Sequence, residues 1–235
     1  MTPAQHPANG VARHCRAFWL EGLGYDWQAL TRGRTQRRLA REAVLFHEGG
    51  TASMLYVVVQ GRVRLVTYSA AGRERHLAVI GPNGLVGDCG MVDPGRHLTS
   101  AVVSADAMVY EVPVPEALKA MQAEAIILRQ VLAFSDQRFQ VMMHHHDLLS
   151  AGAAIKRVSF ALLGLVHVYG VPDACGHRIR IGFTQEEMAS LCSISRVSVS
   201  TAFGELAGRG LVLRDGRRVI VRDVAALQAL AQDSA

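Results

Sequence analysis

Three patterns in the sequence predict an α+β chain made of a β-roll, one long helix and a helix-turn-helix with a wing. Short apolar runs separated by glycine turns fill the stretch from Ala43 to Val112. A segment free of glycine and proline then runs from Ala123 to about Leu149. Near the C-terminal end two short helical patterns flank Cys192-Ser193-Ile194 and lead into a basic hairpin.

The first forty residues read as an arm followed by one or two short helices between Phe18 and Leu39. Arginines 32, 34, 37, 38 and 41 form a basic run there, best read as a solvated face. Strand signals begin at Val44-Leu45-Phe46 and continue through Leu55 to Val59, then Arg62 to Tyr68. Further runs follow at His76 to Ile80, Leu85-Val86, Thr99 to Val103 and Ala107 to Val112. Short strands at such regular spacing argue for a sandwich or roll, here a double-stranded β-helix of jelly-roll type.

Pro113 and Pro115 close the strand region, and a short helix is expected over Glu116–Met121. The long helix after it would extend about 40 Å at 1.5 Å per residue. Ile127, Phe134, Val141 and Leu148 recur every seven residues, with Val131 and His145 near the same line. A heptad seam of this kind predicts packing against a partner helix, so these six residues are the expected dimer contact. A stripe covering the β-roll of the same chain is the competing use. Ser150-Ala151-Gly152 supplies a hinge, and a further apolar helix covers Ile155 to Tyr169.

Thr184 and Glu187 have capping-box spacing ahead of Met188 and Leu191. Ser195 caps a second helix in which Val199, Ala202, Phe203 and Leu206 point inward. Its outward residues, Arg196, Ser198, Ser200 and Thr201, are small or hydrogen-bonding, as in a helix that enters the major groove. Gly210 to Val221 reads as two apolar strands around an Asp-Gly turn, with Arg214, Arg217 and Arg218 placed to meet phosphates. The expected DNA-binding set is therefore Thr184, Gln185, Ser195, Arg196, Ser198, Val199, Ser200, Thr201, Arg217 and Arg218.

Composition bounds the alternatives. Half of the 235 residues are hydrophobic and the formal charge is +5, as expected for a globular chain with a polyanionic partner. No apolar run approaches the roughly 20 residues that span a bilayer. The N-terminal residues lack a signal-peptide core, so the cytoplasm is the expected location. Cysteines at 15, 89, 175 and 192 show no metal-binding spacing. An enzyme built on the roll would need two histidines and a carboxylate converging on a metal, and the strands offer no H-x-D or H-x-E pair.

Taken in order, these features resemble the Crp/Fnr family of bacterial transcription regulators. The motifs that carry the resemblance are Val44-Leu-Phe-His-Glu-Gly, Leu55-Tyr-Val-Val-Val-Gln-Gly-Arg-Val, Gly87-Asp-Cys-Gly, Thr184-Gln-Glu-Glu and Ser195-Arg196. The resemblance implies an arm and effector-sensing roll over 1–122, a dimerisation helix and hinge over 123–150, and a DNA-binding domain over 151–235. It also implies a homodimer on a near-palindromic operator, Arg196 as a base reader, and contact with RNA polymerase. In cyclic-nucleotide-binding members a Gly-Glu and an Arg-Ser pair hold the ligand. Here Gly87-Asp88 stands for the first and Thr99-Ser100 for the second, so the phosphate's cation is missing unless Arg96 replaces it.

Met142-Met143 occupies the place of the base-contacting Thr-Ser pair. Gly87, Asp88, Cys89, Arg96, Thr99, Ser100, Met142 and Met143 are thus the expected effector residues. The departures argue against cyclic AMP, with a rearranged cassette as the alternative. An uncharged or aromatic ligand, a haem, or no ligand stay open. An N-terminal cysteine cluster for an iron–sulfur centre is absent, since Cys15 stands alone. Adjacent imidazoles at His144-His145-His146 point about 100° apart on a helix and cannot converge on one ion.

Overall fold

Two very long strands, each with a run of four consecutive buried residues, build the N-terminal half. The structure, a computed structural model, describes residues 19–21, 23–69, 72, 74–92, 95–150, 152–215 and 218–232. The side chains of His144, Asp147, Leu148, Ser150, Asp215 and Gln232 lie outside that description. Strands β1 (Trp19–Leu20), β2 (Gln36–Leu39), β3 (Val44–Phe46), β4 (Met54–Tyr68), β5 (Glu74–Ile80), β6 (Leu85–Val86) and β7 (Ser100–Pro113) form one sheet. Its main path is β1-β5-β4-β7-β2, with β3 on β7 and β6 on β4.

The 15-residue β4 and 14-residue β7 pair antiparallel over nearly their whole length. Register shifts between Val58 and Val63 bend the pair into a roll. The bend needs Gly61: its φ is +79°, and a Cβ there would sit 2.0 Å from the Asp106 carbonyl oxygen. Leu55, Val58, Val63, Val103, Val109 and Ile80 fill the interior.

The arm differs from expectation. Between Trp19 and Leu39 the helix α1 is only Gln28–Thr31, and Gln36–Leu39 is a strand paired with Ala107–Tyr110. The basic run is therefore partly an edge strand, its arginines tied to acids on the roll. Arg37 lies 2.6 Å from Glu111, and Arg34 pairs with Glu116. Charged side chains suit an edge that must not recruit another strand.

Helix α2 (Val114–Ala123) starts with Pro115 in its first turn, where proline's missing N–H is harmless. Glu124 adopts an extended backbone and separates it from α3 (Ala125–Ser150). Two apolar stripes run along α3. Ile127, Val131, Phe134, Val141 and His145 are 0–5% exposed within their own chain. This corrects the expected seam: those five are buried within their own chain, and the sixth, Leu148, lies outside the described side chains. The exposed stripe lies one residue further on, at Leu128, Leu132, Phe139, Met142 and Leu149.

Within the inward stripe, Arg138 grips Asp88 bidentately at 2.5 and 2.7 Å, and Ser135 Oγ donates to the same carboxylate at 3.2 Å. Both charged groups are buried, the Asp88 side chain being 1% exposed. Burial and the Asp88 charge act oppositely on Arg138, whose pKa ends above its ordinary value.

Helix α4 (Ala154–Tyr169) opens the C-terminal half, and almost all of its central turns are buried. Strands β8 (Gly170–Asp173) and β9 (Gly176–Ile179) form a hairpin. Helices α5 (Gln185–Cys192) and α6 (Arg196–Gly208) follow, then β10 (Val212–Asp215), β11 (Arg218–Val221) and α7 (Val224–Gln232). The second sheet has the order β10-β11-β9-β8. Of the proposed hinge, Ala151 lies outside the described residues, while Gly152 is non-helical and Ala153 has the extended backbone of an N-cap.

Truncating Phe134 to alanine should cost about 3–5 kcal/mol by leaving a cavity between α3 and the roll, read as a lowered urea midpoint at unchanged slope. Asp88→Asn should cost a similar ~3–5 kcal/mol because the Arg138 charge stays buried without an anion. Adding Arg138→Met should restore much of that loss in the same assay.

Candidate nucleic-acid interface and effector cassette

Local chemistry fixes the helix-turn-helix. Thr184 Oγ1 accepts from the Glu187 backbone N–H at 3.1 Å, and Glu187 Oε2 accepts from the Thr184 N–H at 2.7 Å. This reciprocal box satisfies two donors at the start of α5. Ser193 ends the helix in the left-handed conformation, φ +52°, a geometry that turns of this motif often give to glycine. Ser195 caps α6 by accepting from the Ser198 N–H at 3.0 Å.

Cys192 is buried under the turn, which pushes its thiol up to about 12 and leaves it a small apolar core residue. Val199, Ala202, Phe203 and Leu206 are 0–3% exposed and hold α6 against the rest of the unit. Val199 therefore leaves the DNA-facing set; a fully buried side chain cannot reach a base.

The outward face of α6 carries Arg196, Val197, Ser200 and Thr201, all exposed. Ser195 is exposed and Ser198 half-buried, their hydroxyls 2.8 Å apart. Thr201 Oγ1 donates to the Val197 carbonyl at 3.1 Å. Val197 is 74% exposed, a residue that the sequence pattern alone passes over. An exposed valine beside an arginine at a helix N-terminus sets an apolar group next to a fork of N–H donors, the chemistries that suit a thymine methyl and a guanine edge. Thr184 and Gln185 are half-buried at the start of α5.

In the wing, Asp215 pairs with Arg218 across the hairpin end, and Arg218 is exposed. Arg217 lies outside the described residues. Arg214 lies over the Phe203 ring, its guanidinium carbon 5.1 Å from the centroid, so it also packs on the unit's own core.

The cassette expected to hold an effector is assembled differently from expectation. Gly87 has φ +93°, and a Cβ there would sit 2.7 Å from the Met54 carbonyl oxygen. Asp88 is consumed by Arg138 and Ser135, as described above. Cys89 is half-buried with its pKa raised, chiefly by burial. Arg96 is exposed and donates to the Gly49 carbonyl at 2.8 Å. Thr99 is half-buried, while Ser100 is buried with its Oγ accepting from the Glu48 N–H at 3.0 Å. Met142 and Met143 are 45% and 50% exposed on α3, away from the buried stripe. His97 stacks on Phe46 at 3.5 Å with the rings 9° apart, and its desolvated imidazole has a lowered pKa. Among the described residues no three His, Cys, Asp or Glu side chains converge as metal ligands. None of the described helices is long and apolar enough to cross a membrane.

The helix-turn-helix is docked on the roll. Ser190 Oγ donates to the Glu74 carbonyl at 3.2 Å, and Arg41 lies 3.5 Å from Glu187. Tyr169 donates to Glu21, and Arg62 lies over the Tyr169 ring. Beneath the contact, Arg64 bridges Glu42 at 2.6 Å and Glu74 at 3.0 Å. The hydrogen bond from His76, aided by Arg64, holds Glu74 down at about 2. His145 is buried at the same junction, which lowers it to about 4.

Comparison with known proteins agrees with this layout. Residues 36–124 match the cyclic nucleotide-binding domain family and residues 156–230 the Crp-like helix-turn-helix domain family. A cyclic AMP receptor protein of Thermus thermophilus is 31% identical over 211 residues, covering 89% of this chain and 94% of that protein. A CRP-like cAMP-activated global transcriptional regulator of Mycobacterium tuberculosis is 28% identical over 196 residues, 83% and 87% of the two chains. Among solved structures, a CRP-family transcriptional regulator from Thermus thermophilus superposes with a TM-score of 0.70 at 25% identity, covering 84% of this chain and 97% of that one. FixK2 from Bradyrhizobium japonicum shares the fold at a TM-score of 0.74 and 22% identity, over 86% and 99% of the chains. A capped recognition helix, a wing and a cyclic-nucleotide-type roll, in this order and with these relatives, make the chain a member of the Crp/Fnr family of transcription regulators, with a DNA-binding helix-turn-helix.

Proposed function

We propose that the chain acts as a homodimer that binds a near-palindromic operator and is gated by a small effector rather than by cyclic AMP. The observation that carries the reading is α6: a capped helix whose exposed N-terminal residues, Arg196 and Val197, stand over a fully buried Val199. Arginine there can take guanine O6 and N7 together, and the hydroxyls of Ser200 and Thr201 reach bases or phosphates. A two-fold dimer would set two such helices about 34–36 Å apart, the spacing of successive major grooves on one face. Arg218 on the wing would add phosphate contacts. Contact with RNA polymerase at a promoter follows from the family.

Support for the dimer comes from the outer stripe of α3. Leu128, Leu132, Phe139, Met142 and Leu149 are 37–63% exposed and fall at spacings of four and three, with Ser135 and His146 completing the line. A contiguous apolar face of this length is a surface for another helix. The domain division near residues 122 and 150 belongs to the same reading: roll, dimer helix, DNA-binding unit.

Two relatives are named for cyclic AMP, but the cassette here supports that ligand poorly. Its carboxylate is already paired with Arg138, and Arg96 points to Gly49. A phosphate buried there would lack a cation, at a cost of several kcal/mol.

Selection of bound duplexes from a random pool, with and without added cyclic AMP, tests the reading. It should yield an inverted repeat that does not depend on the nucleotide; recovery of no shared sequence would remove the DNA-reading role. In the same binding assay Arg196→Ala should lose about 1–3 kcal/mol and relax preference at one base per half-site. Phe139→Glu should convert the dimer to a folded monomer, seen as a halved mass in light scattering with unchanged circular dichroism. A dimer that survives this change would move the interface elsewhere.

A further inference from the structure

A cavity of about 230 Å³ lies between the roll and the DNA-binding unit, apart from the cassette. Both halves wall it. Trp19 and Val79 come from β1 and β5 of the roll, and Leu165, Phe183, Met188 and Leu191 come from the other side. These walls are largely buried and apolar: Leu165 is 0%, Met188 1% and Leu191 2% exposed. For scale, an apolar cavity of roughly 150 Å³ accommodates benzene. The space therefore fits an aromatic ring with a short substituent.

Its polar edge has an uneven charge. Arg41, Arg62 and Arg64 face Asp106 and Glu187, three guanidiniums to two carboxylates. Both acids already have partners. Asp106 Oδ1 accepts from the Arg41 backbone N–H at 2.9 Å, and Glu187 closes the capping box and lies 3.5 Å from Arg41. Arg64 is held between Glu42 and Glu74. Arg62 is different. Half-buried, its guanidinium carbon lies 5.8 Å from the centroid of the Tyr169 ring, and no carboxylate of the described residues lies within ion-pair distance of it. A partly desolvated guanidinium beside an apolar cavity is a ready partner for the carboxylate of a ligand.

We infer that this cavity binds a small organic anion with an apolar body, best matched by an arylalkanoate, with its carboxylate on Arg62 and its ring against Leu165, Phe183 and Met188. The wall is shared, so the ligand contacts both halves at once and favours the docked arrangement of the DNA-binding unit over any arrangement that opens the cavity. The binding site stands on its own geometry; its use as the gating input rests on the regulator reading above.

Phenylacetate titrated into the full-length protein, followed by calorimetry and by thermal unfolding, tests the site. Saturable binding with a rise in melting temperature is expected, since a ligand held only by the folded state stabilises it. Arg62→Gln should weaken phenylacetate by about tenfold or more and leave the neutral isostere phenylacetamide unchanged, while Arg62→Lys should retain part of the affinity. Absence of heat and of any thermal shift at up to about 10 mM phenylacetate would overturn the inference. So would equal binding of phenylacetamide by the parent protein, or equal binding of inorganic phosphate, which would mean that no ring is recognised. Duplex selection run separately keeps the two readings distinct: phenylacetate bound through Arg62 without any DNA preference sinks only the regulator role, and the reverse result sinks only this site.

Discussion

The buried Asp88–Arg138 pair decides which side of the long helix faces which partner. A carboxylate and a guanidinium taken out of water must find each other with good geometry or not be there at all. The two short contacts at 2.5 and 2.7 Å meet that demand and fix α3 in both rotation and register on the roll. Once Arg138 points inward, Ile127, Val131, Phe134 and Val141 follow it by helical spacing, and Leu128, Leu132, Phe139 and Met142 are left outside. The face of α3 left open to a partner is thus set by an intrachain contact. The same pair also explains why the cassette departs from a cyclic-nucleotide site: its acid serves the protein's own cation.

A second layer of contacts carries the DNA-binding unit. Ser190 on Glu74, Arg41 with Glu187, and Tyr169 with Glu21 each join the roll to the helix-turn-helix or to the helix before it. These contacts are polar and several are partly exposed, and beside them apolar walls from Trp19 and Val79 meet Leu165, Met188 and Leu191. An interface of that composition holds two rigid bodies by a modest margin, so a ligand or a second subunit that favours one arrangement can shift the population. Arg64 and Glu74 lie under this interface, linked to His76 and Glu42, so the strand β5 that meets α5 is braced from beneath by charge.

Legibility from sequence followed the range of the interactions. The helix-turn-helix was readable because its determinants are local: a capping box within four residues, a Ser cap, and inward residues at helical spacing. The roll was readable as a class from its turn rhythm, although its pairing was not. Gln36–Leu39 looked helical or solvated because nothing local says that three polar residues and a leucine will pair with Ala107–Tyr110, some seventy positions away. The seam of α3 failed for another reason. Residues 127, 131, 134, 138, 141 and 145 and residues 128, 132, 135, 139, 142 and 146 form heptads offset by one position, and periodicity cannot rank two stripes of equal period. Arg138 was the available clue, but a charged residue in an inward stripe is intelligible only once Asp88 is seen opposite it. The cavity beside Arg62 left no trace in any motif, because its walls come from strands and helices distant in sequence.

Having two heptads on one helix has a mechanical consequence. Helices rotate by about 100° per residue, so the inner and outer stripes are neighbours, and any rotation of α3 that improves packing on a partner helix pulls Phe134 and Arg138 away from the roll. The bidentate pair resists that rotation steeply, since partial separation exposes a buried charge on each side before water can reach it. The long helix is therefore held stiffly on its own roll. Motion of the DNA-binding unit relative to the roll must then fall on the softer junctions: the non-helical Gly152–Ala153 link and the polar docking of α5 on β5. An effector acts efficiently where the two states differ most, and on that ground the junction between roll and helix-turn-helix is a better place for a signal than the cassette behind Asp88.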